Sequence, residues 1–528
     1  MIRKILIANR GVIALRIMRT CRRLGISSVA VYSDTDEKSP HVRFADEAVA
    51  LGPSNGPQAY LDRERILAAA SRAGVDGVHP GCGFLAADAD FAAACESAGF
   101  ALVGPTSDTL RNVLRARELV AGRGIPLTPD NVDSATRRIE FQIVGDRHGN
   151  IQHLFECDTS LQLGDRAFLT EGLSPGLTDN GPAGVFARMA EEATTLARDV
   201  GLCGAASVQF LLAQPGEFYW LGVEPFLSVQ HAVTEAATGI DFVELQLEVA
   251  AGRALHVDRQ RFDGHVIGAS LYAEEAANAH VTKQTIHAWN PPPAADDARF
   301  DAGVEEGARV PPFDPLLAQL ICRDATRDGA IRKLCHALKT LWIGGIPTNQ
   351  DVLVQVLESQ EFRHGSLGIG FLEQHPFKTR ADPVLNIVFA AAFVLYFEKS
   401  RLAKRTILPE VPPNYRNNPY RDASMTLRID STDVAISWRC AGQNRYVFQS
   451  GGTELHGELL SIEPGAMSAT IGGILRRFQF REVGNEFFMH TSLGSRAVRR
   501  LPRERQAKPP SPKPETDRSP ARTTGETK

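Results

Sequence analysis

The stretch "LGVEPFLSVQHAVTE", residues 221–235, contains a carboxylate at Glu224, an imidazole at His231 and a second carboxylate at Glu235. Carboxylates can hold a divalent cation or accept a proton. Most other side chains of the stretch are uncharged, among them Gly222, Phe226, Ser228 and Gln230. A glutamine amide cannot accept a proton at any pH, and a phenylalanine cannot bind an anion. The stretch therefore has the composition of an active site from which most of the charges have been removed.

A second group with potential chemistry is "HPGCGF", in which His79 precedes Cys82. A histidine can activate a cysteine as a nucleophile. A lone cysteine in an apolar strand-to-turn segment more often packs as a small hydrophobe, and nothing in the sequence indicates a lowered thiol pKa. The cysteines are scattered without a C-x-x-C pair, so neither a zinc site nor a disulfide framework is expected.

The elements that position these residues change character along the chain. In the first hundred residues, strand-like "KILIA" and "SSVAVYS" flank "VIALRIMRTCRRLG", where Ile13, Ile17, Cys21 and Leu24 recur at helical spacing. This alternation is typical of a parallel α/β unit. From about Arg138, the longer strands "RIEFQIVGD" and "NIQHLFECD" and the amphipathic helix "FARMAEEATTLARDVG" predict an α+β unit.

The segment "VLNIVFAAAFVLYF", residues 384–397, is apolar on every side. It is shorter than the roughly 20 residues that span a bilayer, so it predicts a buried helix, with Asp382 as its cap and Pro383 in its first turn. Residues 407–420 are predicted to form an extended connector. The short alternating runs that follow predict an antiparallel sheet or barrel wrapped around the helix.

Composition excludes several classes of function. The chain has 528 residues, of which 43% are hydrophobic, and a formal net charge of -4. This balance gives no electrostatic footprint for nucleic acid or anionic lipid, so neither nucleic acid nor a membrane is expected as a partner. The N-terminus "MIRKILIANRG" enters a strand at once without a recognisable leader, which favours the cytoplasm. The same segment contains no G-x-G-x-x-G fingerprint, so dinucleotide binding has weak support.

Four stretches together resemble the biotin carboxylase component of biotin-dependent acyl-CoA carboxylases. They are "KILIANRGVIALRIMR", "HPGCGFLAADADFAAACESAGFALVGP", "FYWLGVEPFLSVQHAVTEAATGIDFVELQLEVAAG" and "IGGIPTNQDVLVQVLESQEFRHGSLGIGFLE". The resemblance covers residues 1 to about 375. The remainder, including "PPNYRNNPY" and "HTSLGSRAVRRLP", resembles the domain that docks such an α subunit on its carboxyltransferase β subunit.

The resemblance implies an α/β fold in three parts. An α/β domain like the N-terminal domain of biotin carboxylase precedes a truncated ATP-grasp α+β domain, and an antiparallel β-barrel around a central helix follows. The expected ranges are 1–110 for the N-terminal domain, 111–136 for a connector in place of the ATP-grasp lid, 137–378 for the C-terminal-like domain, 379–502 for the docking domain and 503–528 for a disordered tail.

The resemblance also implies the roles that particular positions have in the family, and here the chain departs from it. Gln209 and Gly222 stand where the family has metal-binding glutamates, and Glu224 stands where it has an asparagine. An amide binds Mg2+ far less well than a carboxylate and glycine offers no side chain, so no metal is expected, with Glu224 as a weak candidate ligand.

Other departures concern the anion and the base. Phe226 replaces the arginine that holds bicarbonate, and Ser228 replaces a glutamine. Gln230 replaces the glutamate that deprotonates bicarbonate, and Ala167 replaces a lysine of the nucleotide loop. Arg299 matches an arginine that stabilises the biotin enolate, and His231, Thr234 and Glu235 match the end of the motif. These retained residues either form a residual pocket for biotin or an anion, or hold up the fold, and the second interpretation is favoured.

Three functions remain open. The leading hypothesis is a catalytically degenerate scaffold, a pseudoenzyme with no expected cofactor. It would form a hetero-oligomer with a carboxyltransferase β-like subunit or with an active biotin carboxylase. The alternative is an active biotin carboxylase component that uses ATP, Mg2+ and bicarbonate to carboxylate biotin on a separate carrier. The third is a pocket that binds biotin or an acyl ligand without nucleotide.

Overall fold

The computed structural model describes residues 2–502, with the exception of 54–55, 130, 165, 173, 175–176, 178–183, 214–215, 258–263, 275–284, 296, 366, 376–381, 404–421 and 443. The connector predicted at 407–420 and the tail predicted at 503–528 lie outside the described residues.

The N-terminal part is a five-stranded parallel sheet flanked by helices, in the strand order β3-β2-β1-β4-β5. Its elements are β1 (Lys4–Ile7), α1 (Gly11–Arg23), β2 (Ser27–Tyr32), a 3-10 helix (Asp34–Asp36), α2 (Pro40–Phe44), β3 (Glu47–Ala50), α3 (Gln58–Leu61), α4 (Arg63–Ala73), β4 (Gly77–His79), α5 (Ala89–Ser97), β5 (Ala101–Leu102), α6 (Ser107–Val113) and α7 (Ala116–Gly122). Ile13, Ile17 and Cys21 are buried as their spacing predicts, whereas Leu24 is exposed because the helix ends at Arg23.

The central part is an eight-stranded sheet in the order β12-β11-β6-β7-β10-β13-β16-β15, with every neighbouring pair antiparallel. Its elements are β6 (Arg137–Gly145), β7 (Ile151–Asp158), β8 (Gln162–Leu163), β9 (Arg166–Ala167), β10 (Leu169–Gly172), α8 (Val185–Asp199), β11 (Gly204–Leu212), β12 (Phe218–Glu224), α9 (His231–Thr238), α10 (Phe242–Ala250), β13 (His265–Tyr272), β14 (Ala288–Asn290), β15 (Ala298–Ala302), β16 (Leu316–Asp324), α11 (Arg327–Thr340), β17 (Trp342–Gly344), α12 (Gln350–Glu358), α13 (Gln360–His364) and α14 (Phe371–Gln374).

The central sheet and the N-terminal part approach each other closely at one glycine. A Cβ atom on Gly303, which follows β15, would lie 2.5 Å from the backbone nitrogen of Val12 in α1. No real Cβ atom tolerates that distance, so a larger residue at position 303 would push the two parts apart. This contact brings the end of β15 beside α1, and the site described below depends on that proximity.

The C-terminal part is a closed antiparallel barrel of eight strands around a helix. Its elements are α15 (Pro383–Ala403), β18 (Ala423–Ile429), β19 (Thr432–Gly442), β20 (Arg445–Ser450), β21 (Thr453–Glu463), β22 (Ala466–Ile471), β23 (Ile474–Val483), β24 (Glu486–Thr491) and β25 (Gly494–Arg500). The repeated apolar runs identify seven of these strands. The eighth, β25, is rich in arginine and lacks a clear apolar run, although its Val498 is fully buried.

The helix α15 fills the barrel as predicted. Phe389 and Phe393 have no exposed surface, and their rings contact Phe478 of β23 and Phe487 of β24 with centroid distances of 6.3 and 5.0 Å. The side chain of Asp382 accepts hydrogen bonds from the backbone N–H groups of residues 384 and 385, so it caps the helix. Residues 383–400 are long and apolar enough to cross a membrane, but 61% of this segment is buried inside the protein.

The barrel rests on the central part through an aromatic contact. Trp342 of β17 and Phe488 of β24 are buried together, and the ring of Phe488 stacks on His287 at 5.5 Å. A Cβ atom on Gly344 would lie 2.9 Å from Cβ of Phe488, so the absence of a side chain there permits the approach. The three-part α/β fold with a helix-filled barrel is confirmed.

Candidate functional site

Three adjacent strands place polar side chains on one face of the central sheet. Gln209 of β11 is paired with Glu140 of β6 on one side and with Gly222 of β12 on the other. Directly paired residues of an antiparallel sheet point to the same face. Arg138 lies two residues before Glu140 in β6, and Glu224 lies two residues after Gly222 in β12. Alternate residues of a strand point to the same face, so both side chains share it. We call the group Arg138, Glu140, Gln209, Gly222 and Glu224 the polar face.

Glu140 is the most buried acid of the polar face, with 1% of its surface exposed. The amide of Gln142 donates a hydrogen bond of 2.6 Å to its Oε1, and the same amide contacts the hydroxyl of Ser228. Burial and the nearby charge of Glu224 raise the pKa of Glu140, while Arg138 and nearby hydroxyl groups act in the opposite direction. A second carboxylate is therefore close enough to Glu140 to affect its ionisation.

Gln209 and Gly222 face each other in the structure, as expected for two positions of one site. Gln209 is 5% exposed, and its Nε2 atom is buried without a hydrogen-bond partner among the described residues. A Cβ atom on Gly222 would lie 3.7 Å from Oε1 of Gln209, an ordinary contact distance. The two positions therefore leave space beside an amide group that lacks a full set of partners.

Glu224 and Arg138 stand where the polar face opens to solvent. The side chain of Glu224 is 38% exposed, and its Oε1 lies 4.0 Å from Nη2 of Arg138. Arg138 also donates a hydrogen bond of 2.6 Å to the side chain of Gln162. Because one terminal nitrogen of Arg138 is hydrogen-bonded to Gln162, the guanidinium does not engage Glu224 fully, and the carboxylate keeps oxygen atoms available for another partner.

The stretch after β12 leads from the polar face into α9. His231 is buried, and its Nδ1 lies 2.7 Å from the carbonyl oxygen of Ser228. Burial lowers the pKa of His231, so the ring is neutral at physiological pH. Gln230 occupies the N-cap position of α9 without a capping hydrogen bond from its side chain, and Phe226 is half-buried. None of these three side chains supplies a charge to the site.

A buried network of ion pairs surrounds the other end of α9. Glu235 contacts Nη2 of Arg16 at 2.5 Å and Nη1 of Arg299 at 2.6 Å, and Arg299 also pairs with Asp301 at 2.6 Å. Burial alone would raise the pKa of Glu235, but the guanidinium groups of Arg16 and Arg299 hold it below its usual value. Arg299 is therefore fixed by two carboxylates that come from different elements, with its side chain 29% exposed.

The structure separates the predicted residues into two groups. Gln209, Gly222 and Glu224 lie together on the polar face, whereas His231, Glu235 and Arg299 belong to the neighbouring network. Ala167 lies on the short strand β9, where it is paired with Gln162 of β8. Sequence reasoning missed Arg138 and Glu140. The available signal was a charged residue at each of these alternate positions in "RIEFQIVGD", a strand that is otherwise strongly apolar.

Cys82 is not an activated nucleophile. Burial raises the pKa of its thiol to about 12, whereas an activated cysteine needs a lowered value. The Nδ1 atom of His79 accepts a hydrogen bond from the backbone N–H of Gly81 instead of approaching the thiol. The packing interpretation of this cysteine is the one the structure supports.

Three family models match successive parts of the chain. Residues 1–110 match "Biotin carboxylase, N-terminal domain", residues 131–258 match "Carbamoyl-phosphate synthase L chain, ATP binding domain", and residues 269–374 match "Biotin carboxylase C-terminal domain". The polar face and His231 and Glu235 lie within the range of the ATP-binding model, and Arg299 lies within that of the C-terminal model.

Curated relatives extend the match. Biotin carboxylase 2 of Bacillus subtilis is 32% identical over 449 aligned residues, which cover 71% of this chain and 100% of the relative. The α subunit of methylcrotonoyl-CoA carboxylase from Oryza sativa is 33% identical over 71% of this chain, but the match covers 60% of its own length. The corresponding rat subunit is 28% identical over 94% of this chain and 81% of the relative, so that alignment reaches the barrel.

Solved structures agree with the sequence matches. The crystal structure of the biotin carboxylase subunit of pyruvate carboxylase has a TM-score of 0.66 to this chain at 28% identity. The matched region covers 72% of this chain and 100% of the chain in that structure.

The interpretation of the chain as a catalytically degenerate scaffold is wrong. Relatives named biotin carboxylase match over their full length, and an ATP-binding domain model matches the very region that was judged degenerate. Gln209 and Gly222 lack carboxylates, but the folded sheet has carboxylates on the same face at Glu140 and Glu224. The expectation of no cofactor is unsupported for the same reason. The predicted domain limits, including a connector at 111–136 in place of a lid, stay predictions.

Proposed function

This chain belongs to the biotin carboxylase family, and we propose that it is the ATP- and bicarbonate-dependent component that carboxylates biotin on a separate carrier protein. The observation that carries the proposal is the position of the polar face within the matched ATP-binding region, linked through Ser228 and the helix α9 to the network that holds Arg299.

The reaction we propose has two steps. Bicarbonate attacks the γ-phosphorus of ATP to give carboxyphosphate and ADP. A ring nitrogen of biotin then takes the carboxyl group as phosphate leaves, and the departing phosphate accepts the proton which that nitrogen loses. Phosphoryl transfer depends mainly on positioning and on neutralising charge. Mg2+ supplies part of that neutralisation when it is bound, and oxygen ligands such as those of the polar face suit it.

Arg299 is the residue to which we assign the contact with biotin, because it matches the family arginine that stabilises the biotin enolate. As biotin loses its proton, negative charge develops on its carbonyl oxygen, and a fixed guanidinium stabilises that charge without having to reorganise. Glu235 and Asp301 hold the guanidinium of Arg299 in position, because each carboxylate lies 2.6 Å from it. Arg16 holds Glu235 in turn.

The partner we propose is a carboxyltransferase β-like subunit, which would make the assembly a hetero-oligomer. The match to the rat α subunit extends over the barrel. The barrel also exposes large apolar side chains on β21 and β23, namely Leu460, Ile462, Ile474 and Leu475, which a docked subunit would bury.

The test is bicarbonate-dependent ADP release by the purified full-length chain, with free biotin as the acceptor and Mg2+ present. We expect activity that Arg299→Ala lowers about 10²–10³-fold, by analogy with the loss of one preorganised charge-stabilising donor. Arg445→Ala removes an exposed arginine of the barrel and is the matched control. Absence of bicarbonate-dependent ADP release, together with no Mg-ATP binding by calorimetry, would overturn the proposal.

A further inference from the structure

A cleft lies between the central part and the barrel, beside β17. Its volume is about 530 Å3, within the usual range of ligand sites, which often occur where two domains meet. The strand β17 and the residues that follow it form one wall. The turn between β18 and β19 and parts of β24 and β25 form the other. The described residues that line the cleft include neither the polar face nor the network around Arg299, so the cleft is separate from the site of the proposed reaction.

Carboxylates outnumber cations in the lining of the cleft. The described lining residues include four acids, Glu274, Asp351, Asp430 and Glu486, and one base, Arg496. The side chain of Arg496 is 5% exposed and lies 3.8 Å from Asp351 and 3.4 Å from Asp430. Glu274 and Glu486 form no ion pair with the residues that the structure describes. Four carboxylates therefore face one guanidinium, which leaves an excess of three negative charges.

The carboxylates of the two walls repel one another. Partial burial and the charge of Asp351 raise the pKa of Glu274. Partial burial also raises the pKa of Asp430, as do the charges of Asp351 and Glu486, although a backbone N–H group and the nearby guanidinium act in the opposite direction. A cationic group that entered the cleft would relieve this repulsion.

Trp342 of β17 adds an unsatisfied hydrogen-bond donor to the same lining. The residue is 8% exposed, and its Nε1 is buried without a hydrogen-bond partner among the described residues. The imidazole of His490 stacks on the indole with a centroid distance of 5.9 Å. An indole N–H lies in the plane of its ring, so the stacked imidazole cannot accept a hydrogen bond from it. Buried donors are nearly always paired, which points to a ligand that brings an acceptor oxygen.

We propose that the cleft binds a basic peptide segment of a partner protein. A peptide supplies both of the groups that the lining lacks. Its arginine and lysine side chains carry cations that complement the carboxylates, and its backbone carbonyl groups can accept a hydrogen bond from Trp342. Charge complementarity of this kind steers association and selects the partner. The inference goes beyond the proposed function, because no step of the ATP-dependent reaction uses the cleft.

The experiment is a titration of the fluorescein-labelled peptide Gly-Arg-Gly-Arg-Gly-Arg-Gly with the full-length chain, followed by fluorescence anisotropy at an ionic strength of about 0.05 M. We expect saturable binding that Glu274→Gln and Glu486→Gln each weaken about 3–10-fold. Trp342→Phe should weaken binding by about the same factor, because it keeps an aromatic ring and removes the N–H. Ser431→Glu adds a carboxylate to the exposed turn of the lining and should tighten binding about 3-fold.

Glu463→Gln is the matched control, because it removes an equal charge from an exposed position elsewhere on the barrel. The proposal is overturned by the absence of saturable binding, by variants of Glu274 and Glu486 that bind as wild type does, or by an equal loss in Glu463→Gln. Circular dichroism checks that each weakened variant is folded, and the gain expected for Ser431→Glu cannot arise from unfolding.

Competition against the labelled peptide distinguishes the possible occupants. Spermine represents a free polyamine, and a peptide with the sequence of residues 503–513 represents a basic segment of this chain. We expect the unlabelled arginine peptide to displace the probe at a lower concentration than either competitor. Stronger displacement by spermine or by the 503–513 peptide overturns the assignment to a partner protein.

Discussion

Replacing Glu235 with glutamine tests the buried ion-pair network most directly. Glu235 is 6% exposed, and it accepts contacts from the guanidinium groups of Arg16 and Arg299 and from the backbone N–H of Phe242 at 2.8 Å. Glutamine preserves the shape of the side chain but removes its charge. Two guanidinium groups would then share a buried position with a neutral partner, which is costly in a region of low dielectric constant.

The expected magnitude follows from that geometry. Removing one partner of a buried ion pair typically costs about 3–5 kcal/mol. With a urea m-value of about 2–3 kcal/mol per molar, this lowers the midpoint of unfolding by about 1–2 M. Asp301 and Asp241 remain paired with the two arginines and offset part of the loss, so the lower end of the range is expected.

The pH dependence of this effect has a definite sign. The pKa of Glu235 is lowered in the folded chain, so its contribution to stability is fully present above the unfolded pKa, about 4.3 for glutamate. The contribution is lost as the pH falls through the lowered folded value. We therefore expect the difference in unfolding free energy between wild type and Glu235→Gln to be constant from pH 6 to 8 and to shrink below about pH 4.

Urea unfolding at pH 7 measures the loss of stability caused by Glu235→Gln, and hydrogen–deuterium exchange shows which elements lose protection. Because the chain contains several hydrophobic cores, a single transition is not assumed. Exchange should rise in α9 and α10, which Glu235 joins, and stay unchanged in the barrel. Glu217→Gln is the exposed control. A midpoint shift below about 0.3 M, with unchanged exchange in both helices, would refute the reasoning.

Three further predictions concern other parts of the chain. Phe393→Ala, at a fully buried position in the barrel, should cost about 3–5 kcal/mol by thermal unfolding, whereas Val384→Ala, at a position 55% exposed, should cost less than about 0.5 kcal/mol; equal effects would contradict the helix-filled barrel. Cys82 is half-buried and should react with a disulfide reagent at pH 8 more slowly than the exposed Cys440, since burial raises the pKa of its thiol to about 12; equal labelling rates would contradict the raised pKa. Asp382→Ala should cost about 0.5–2 kcal/mol, because it removes the cap of α15, and Asp382→Asn should restore most of that loss.

Most elements of the barrel could be predicted from local sequence patterns. A helix that is apolar on every side has to be surrounded by protein, and alternating strands after it supply the enclosure, so both could be predicted from residues 384–492. The eighth strand could not. Three of its seven residues are arginines, and Arg496 is buried at 6% exposure beside Asp351 and Asp430. Only closure of the barrel shows that this segment pairs with β18 and β24.

The grouping of residues at the candidate site could not be predicted from local sequence alone. The sequence by itself determined the family, the order of elements and the residue types at positions 209, 222, 224 and 299. Tertiary structure alone decided that Glu140 joins them, because which side chains share a sheet face depends on the register between strands about seventy residues apart. Register is set by burying one whole face of the sheet and not by any short segment. A site assembled across three strands therefore becomes visible only when those strands are paired.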